Sequence, residues 1–178
     1  MKKTTLFLAL AVCSAMAFAQ KKKTTSATVK FDATTSIDAL PKAENKTVIA
    51  VIDTKTGTVA FESQVKGYNF GNPMMQEHFN GEKWMHSEKF PTSSFSGKIT
   101  NLSDVNFAKH GTYTANVEGE LTLHGVTKPV KTKATLVVAG AVVNAAADFT
   151  IVAAEYGISD AGGKVAKEPK ISVSAELK

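Results

Sequence analysis

From Tyr113 to Leu123 the chain alternates without a break. Tyr113, Ala115, Val117, Gly119, Leu121 and Leu123 are apolar or small, and the residues between them are Thr114, Asn116, Glu118, Glu120 and Thr122. A strand sends successive side chains to opposite faces, whereas a helix turns every 3.6 residues and would scatter this pattern around its circumference. The segment therefore reads as a strand with one apolar and one wet face. The same device recurs in Val29, Phe31 and Ala33; in Val59, Phe61, Ser63 and Val65; in Phe95, Gly97 and Ile99; and in Val130, Thr132, Ala134, Leu136 and Val138. It returns in Val143, Ala145, Ala147, Phe149, Ile151 and Ala153, and in Ile171, Val173, Ala175 and Leu177. With the apolar run at 47–54, this makes about eight strands joined by short polar connections, an all-β pattern that fits an antiparallel barrel or sandwich. Closure into a barrel removes the exposed edges that so many Val- and Thr-rich strands would otherwise present.

Two places interrupt the period. In NPMMQEHFNGEKWM (72–85), Asn72 can cap a helix and Pro73 suits its first position; Met75 and Phe79 share a face, and Gly81 is placed to end it. The pattern predicts a short helix near 73–80 covering something apolar, and a barrel mouth is the natural surface. The second interruption is His124-Gly125, where the long alternation stops before Val126-Thr127-Lys128-Pro129-Val130. A histidine at such a corner can belong to a reactive site or to a turn. Asp53-Thr54-Lys55-Thr56-Gly57 reads as another turn, closing a hairpin.

Residues 1–19 have the three parts of a signal peptide: Lys2 and Lys3, an apolar run from Leu6, and Ala17-Phe18-Ala19 before Gln20. Cleavage after Ala19 would release 159 of the 178 residues to the periplasm or the exterior. Cys13 would leave with the signal, so the mature chain would have no thiol for a disulfide, a nucleophile or a metal. Residues 20–27 begin QKKKTTS and read as a disordered polar leader ahead of one domain over 28–178. From Thr24 onward 16 Lys face 16 acidic residues, and there is no Arg anywhere, so neither net charge nor a guanidinium fork argues for nucleic acid. The apolar run of the signal is too short to span a bilayer, and no stable membrane insertion is expected.

The familiar catalytic constellations are missing from this sequence. Gly157-Ile158-Ser159-Asp160-Ala161 misses the last glycine of a nucleophile elbow, and Gly162-Gly163-Lys164 is followed by Val165 where a phosphate loop needs Ser or Thr. Glu118 and Glu120 share a strand face opposite the apolar row and should point to water. Glu77, His78, His86 and Glu88 have no metal-site spacing, although they could converge in space; no catalytic residue, metal site or cofactor is assigned. What remains is an apolar inventory at Phe61, Phe70, Met75, Phe79, Trp84, Phe95, Leu121, Leu123, Ala147 and Phe149, with small residues on the inward rows. Such rows either leave room for a ligand or interdigitate with large neighbours into a filled core; periodicity does not choose.

The run LTLHGVTKPV (121–130) closely resembles the signature of the YceI-like family, exported lipocalin-like proteins associated with binding polyisoprenoids and other long apolar chains. Met75-Gln76-Glu77-His78-Phe79-Asn80, followed by Ser87-Glu88-Lys89-Phe90-Pro91 and Phe95, is similar to that family's helix and the loop after it. The resemblance implies an antiparallel eight-stranded lipocalin-like barrel with an elongated apolar pocket and a long-chain apolar lipid as partner. It also implies that His124 stands in a hairpin corner, with Pro129 starting the next strand. With no arginine to meet a pyrophosphate, a neutral lipid or fatty chain fits as well as an isoprenoid. The rival is a stress-related or surface interaction protein with a filled barrel that acts through its loops. Either reading allows a homodimer.

Overall fold

The computed structural model describes residues 20–178, so the expected signal peptide lies outside the described residues. Nine antiparallel strands appear: β1 (Lys21–Asp32), β2 (Lys42–Asp53), β3 (Thr58–Gln64), β4 (Asn69–Phe70), β5 (Thr92–Ile99), β6 (Gly111–Leu123), β7 (Val126–Ala139), β8 (Val142–Thr150) and β9 (Lys170–Leu177). Eight of them form a closed barrel, in the order β1-β9-β8-β7-β6-β5-β3-β2 with β2 returning to β1, and the two-residue β4 hangs on the edge of β2. Every neighbouring pair is antiparallel, as short connections require.

The alternation now has a physical assignment. Ala115, Val117 and Leu121 on β6 and Ala134, Leu136 and Val138 on β7 are buried inside, while Glu118, Glu120, Lys131 and Lys133 stand in water. Glu118 and Lys131 are cross-strand partners and form an ion pair at 3.0 Å on the outer wall. An outward row of Thr, Glu and Lys is the reverse of a barrel that faces lipid tails. Among the described residues no helix is long and apolar enough to cross a membrane.

Residues 21–26 do not form a disordered leader. Lys21 to Thr24 pair with Asp53 to Ala50 as the first part of β1, and Lys23 exchanges backbone hydrogen bonds with Lys178 at 2.9 and 3.2 Å. Composition misled here: three lysines in a row resist burial, but backbone pairing along a barrel seam needs only one inward row, and exposed Lys suits the outer one. The inward row of β8 also ends earlier than its pattern suggested. Beyond Thr150 the chain leaves the sheet, and Ala153 lies in a 3-10 turn, Ala153–Tyr156.

The short helix α1 spans Pro73–Asn80. Asn72 caps it, its side-chain oxygen accepting from the N–H groups of Met74 and Met75 at 2.9 and 3.3 Å, and Pro73 occupies the first turn, where no N–H is needed. The Gln76 side-chain oxygen accepts from Phe70 N–H at 3.2 Å and so ties α1 to β4. Asn45, fully buried, marks a bulge in β2: its amide donates to Gln64 O at 3.0 Å, and its oxygen accepts from Thr47 N–H at 2.9 Å. Such a bulge bends the strand where the barrel turns a corner.

Two outcomes follow from this frame. Deleting residues 20–26 should open the β1–β2 seam and lower the unfolding temperature markedly, rather than leave the fold intact as removal of a leader would; a thermal melt measures it. In the β2–β3 turn, the Asp53 carboxylate accepts from Thr56 N–H and Lys55 N–H, and these bonds, Thr56's first, hold its pKa below the ordinary 3.8. A depressed carboxyl contributes stability above its unfolded pKa and loses it as pH falls through the folded one. The Thr56 amide resonance should therefore titrate with a midpoint below 3.8, and a midpoint at or above that value would contradict the bond.

Candidate ligand-binding site

The barrel is hollow. Its interior holds an apolar cavity with about 140 Å³ of room for the centre of a water-sized molecule. One end is packed shut: Ile52, Leu136, Val138, Val143 and Leu177 are each at most 2% exposed. Toward the middle and the α1 end the inward residues Phe61, Phe95, Val130, Ala147, Phe149 and Val173 are only partly buried, because they face the empty space rather than one another. An apolar cavity of this size stays dry and accepts apolar guests.

Small residues create the space. Ala145 and Ala147 on β8 lie beside Ala175 and Val173 on β9, and Ala147 also pairs with Ala134 on β7. On the opposite wall Gly97 and Gly119 are cross-strand partners, and the ring of Phe95 lies so close that a Cβ on either glycine would sit 2.7 Å from its Cζ. The two glycines let an aromatic ring lie against the backbone, where it forms the wall without filling the lumen.

The α1 end is closed by aromatic rings. Phe79 packs on Phe70 at 4.9 Å, on Trp84 at 5.4 Å and on Tyr68 at 5.6 Å between ring centres, and Phe31 meets Phe79 and Trp84 at 6.1 and 6.0 Å. Tilted and edge-on contacts of this kind each add about 0.5–1.5 kcal/mol beyond area burial. Beneath them is a smaller apolar space of about 50 Å³, bounded by Phe79, Trp84 and Met85 on one side and by Ile151, Ile158 and Val165 on the other. Tyr68, Ser93, Leu123 and Ile171 line both spaces and form the partition between them.

His124 belongs to the corner. With Gly125 it forms a two-residue loop between the paired Leu123 and Val126, both with positive φ, 50° and 75°, as a type I′ hairpin requires. Its Nδ1 donates to the carbonyl of Tyr156 at 3.0 Å, and Phe90 packs edge-on against the ring at 4.7 Å. A Cβ on Gly125 would stand 2.4 Å from the Phe90 ring. The signature segment thus clasps three chain regions at the barrel rim, and its histidine is committed to that clasp. Pro129 lies inside β7 opposite Glu120; the strand already starts at Val126.

Of the ten residues singled out from sequence, Phe61, Phe95, Leu121, Leu123, Ala147 and Phe149 line the main cavity, with Leu123 shared. Phe79 and Trp84 line the smaller space; Phe70 packs behind them and Met75 is partly buried against the core, neither reaching a cavity. Glu88 pairs with Lys66, and among the described residues no group of three or more His, Cys, Asp or Glu side chains converges. Tyr68 was not anticipated, because it lies in an irregular segment between β3 and β4, where no period marks an inward side chain. Val130, Ala145, Ile171 and Val173 were legible as inward positions, and only closure of the sheet turned them into cavity wall.

Eight antiparallel strands closed around an apolar lumen, with a short helix at one end, define a lipocalin-like barrel architecture. The YceI-like domain model matches residues 10–177, and the chain belongs to that family. Its fold is similar to a polyisoprenoid-binding domain from Saccharophagus degradans implicated in plant cell wall breakdown, with 12% identity, a TM-score of 0.75 and coverage of 89% of this chain and 98% of that one. It is also similar to Burkholderia cenocepacia BcnA (18% identity, TM-score 0.69, 85% and 96% covered) and to the Campylobacter jejuni YceI protein (13%, 0.55, 72% and 78%). No curated protein matches it in sequence.

Replacing Ala147 by Trp should fill the lumen and abolish uptake of an apolar chain while the far-ultraviolet circular dichroism of the barrel persists; undiminished uptake by the folded variant would remove Ala147 from the site. Gly125→Ala should cost roughly 1–3 kcal/mol from the positive φ alone, with the Phe90 clash added, and denaturant unfolding reads the loss.

Proposed function

We propose that this protein is an exported, non-catalytic lipid binder that holds a long apolar chain, isoprenoid or fatty acyl, in its barrel for transport, storage or sequestration. The observation that carries the reading is the hollow apolar lumen: its lining residues include no charged side chain and no candidate nucleophile–base pair. Transferring a chain from water into such a space supplies about 0.8 kcal/mol per buried methylene, so binding needs no catalytic or ionic group. The S. degradans relative, described as polyisoprenoid-binding, has the same fold and supports the ligand class. The signal-like residues 1–19 support export to the periplasm or beyond. The filled-barrel alternative loses ground, because inward Phe, Val and Ala side chains remain partly exposed to the lumen.

Expression in a bacterial periplasm, solvent extraction of the purified protein and mass spectrometry test this directly. A stoichiometric long-chain lipid is the expected result. A clean extract, repeated after incubation with isoprenoid and fatty lipids, would overturn it.

A further inference from the structure

The partition between the two spaces carries a cluster of hydroxyl-bearing residues. Ser63 near the end of β3 and Ser93 near the start of β5 are cross-strand partners, both buried, with their hydroxyls 2.8 Å apart in a hydrogen bond. Tyr68, a residue 9% exposed, lines the main cavity together with both serines, and their hydroxyls act on its phenol. The other polar residues along the main cavity are Ser94 and Thr132; Ser94 falls on the opposite face of β5 from Ser93, and the Thr132 hydroxyl donates to Asp148 O at 3.2 Å. Lys, His, Asp and Glu are absent from the lining of both spaces.

Buried hydroxyls cost free energy unless paired, and two Ala at the serine positions would continue the apolar wall without that cost. Three hydroxyls carry three protons, one of which the Ser63–Ser93 bond consumes, and each oxygen has lone pairs beyond those its neighbours use. The cluster can thus both accept from and donate to one more oxygen. Neither lining includes a cationic side chain to offset the desolvation of a phosphate or carboxylate, so an anion is disfavoured there. Burial also pushes the Tyr68 phenol above its usual pKa of 10, which keeps it a neutral donor.

We infer that Ser63, Tyr68 and Ser93 form a specificity subsite that hydrogen-bonds an uncharged oxygen function, an alcohol or a carbonyl, of a lipid whose chain lies in the main cavity. This rests on the lipid-binding reading and adds to it the head-group chemistry and its place. The polar group sits at the partition near the α1 end, and the chain runs toward the packed end. A lipid headed by phosphate or pyrophosphate is disfavoured at this position.

Displacement of a fluorescent apolar probe by hexadecanol, hexadecane and hexadecyl phosphate tests it, in the wild type, in Tyr68→Phe and in Ser63→Ala/Ser93→Ala, with thermal melts to confirm folding. One net hydrogen bond predicts that the wild type binds the alcohol about two- to tenfold more tightly than the hydrocarbon, with the phosphate weakest. Both variants should shrink the alcohol's advantage over hexadecane. Equal affinity for alcohol and hydrocarbon in the wild type, an advantage that survives in both variants, or tightest binding of the phosphate would overturn the subsite while leaving the lipid-binding reading intact. Failure of all three to displace the probe from the wild type would overturn both.

Discussion

The structure depends on the closure of one sheet through β1. This strand pairs with β2 along nearly its whole length and with β9 over Thr28–Asp32, and that double pairing converts an open sheet into a barrel. Without it β2 and β9 would each expose a row of unpaired N–H and C=O groups, and the inward apolar row of every strand would face a solvated concavity. Closure alone makes one dry interior of rows that no two strands could bury.

Given closure, side-chain size along the inward rows decides what the interior becomes. Ile, Leu and Val fill the end where Ile52, Val143 and Leu177 meet, as in an ordinary core. In the middle, Ala145 and Ala147 and the Gly97–Gly119 pair are too small to span the lumen, and Phe95 lies against its wall. The unfilled volume forfeits dispersion contacts that a packed core would have. A ligand chain would restore them, so the stability the empty barrel gives up is the affinity a guest can recover.

The two ends are built differently for the same reason. The packed end needs only side chains from the strands, whereas the other requires added segments: α1 with Phe79, the following Trp84, and the 151–169 connection with Ile158 and Val165. The His124-Gly125 corner pins this end through Phe90 and the Tyr156 carbonyl. The apolar spaces on either side of the partition are therefore bordered by irregular chain, and the hydroxyl cluster sits where regular wall gives way to it.

Most of the strands, the short helix and the tight turns are legible in the sequence because each is local. Alternation from Tyr113 to Leu123 admits only a strand, Asn72-Pro73 starts a helix through its own hydrogen bonds, and His124-Gly125 suits a two-residue turn through backbone sterics. Much of the cavity lining was legible for the same reason, since Phe61, Phe95, Leu121 and Phe149 declare their face by period. Tertiary structure decided what period cannot encode. Lys21 to Thr24 became a seam strand because Asp53 to Ala50 and Lys178 offered backbone partners far along the chain. Tyr68 reached the lumen from a segment without period, whereas Phe70 on β4 packs behind Phe79 and Trp84, and Met75 on α1 is partly buried against the core without reaching a cavity. Whether the barrel is hollow was also settled in three dimensions: volume depends on which small residues face each other across the lumen, and those partners are separated by whole strands of sequence.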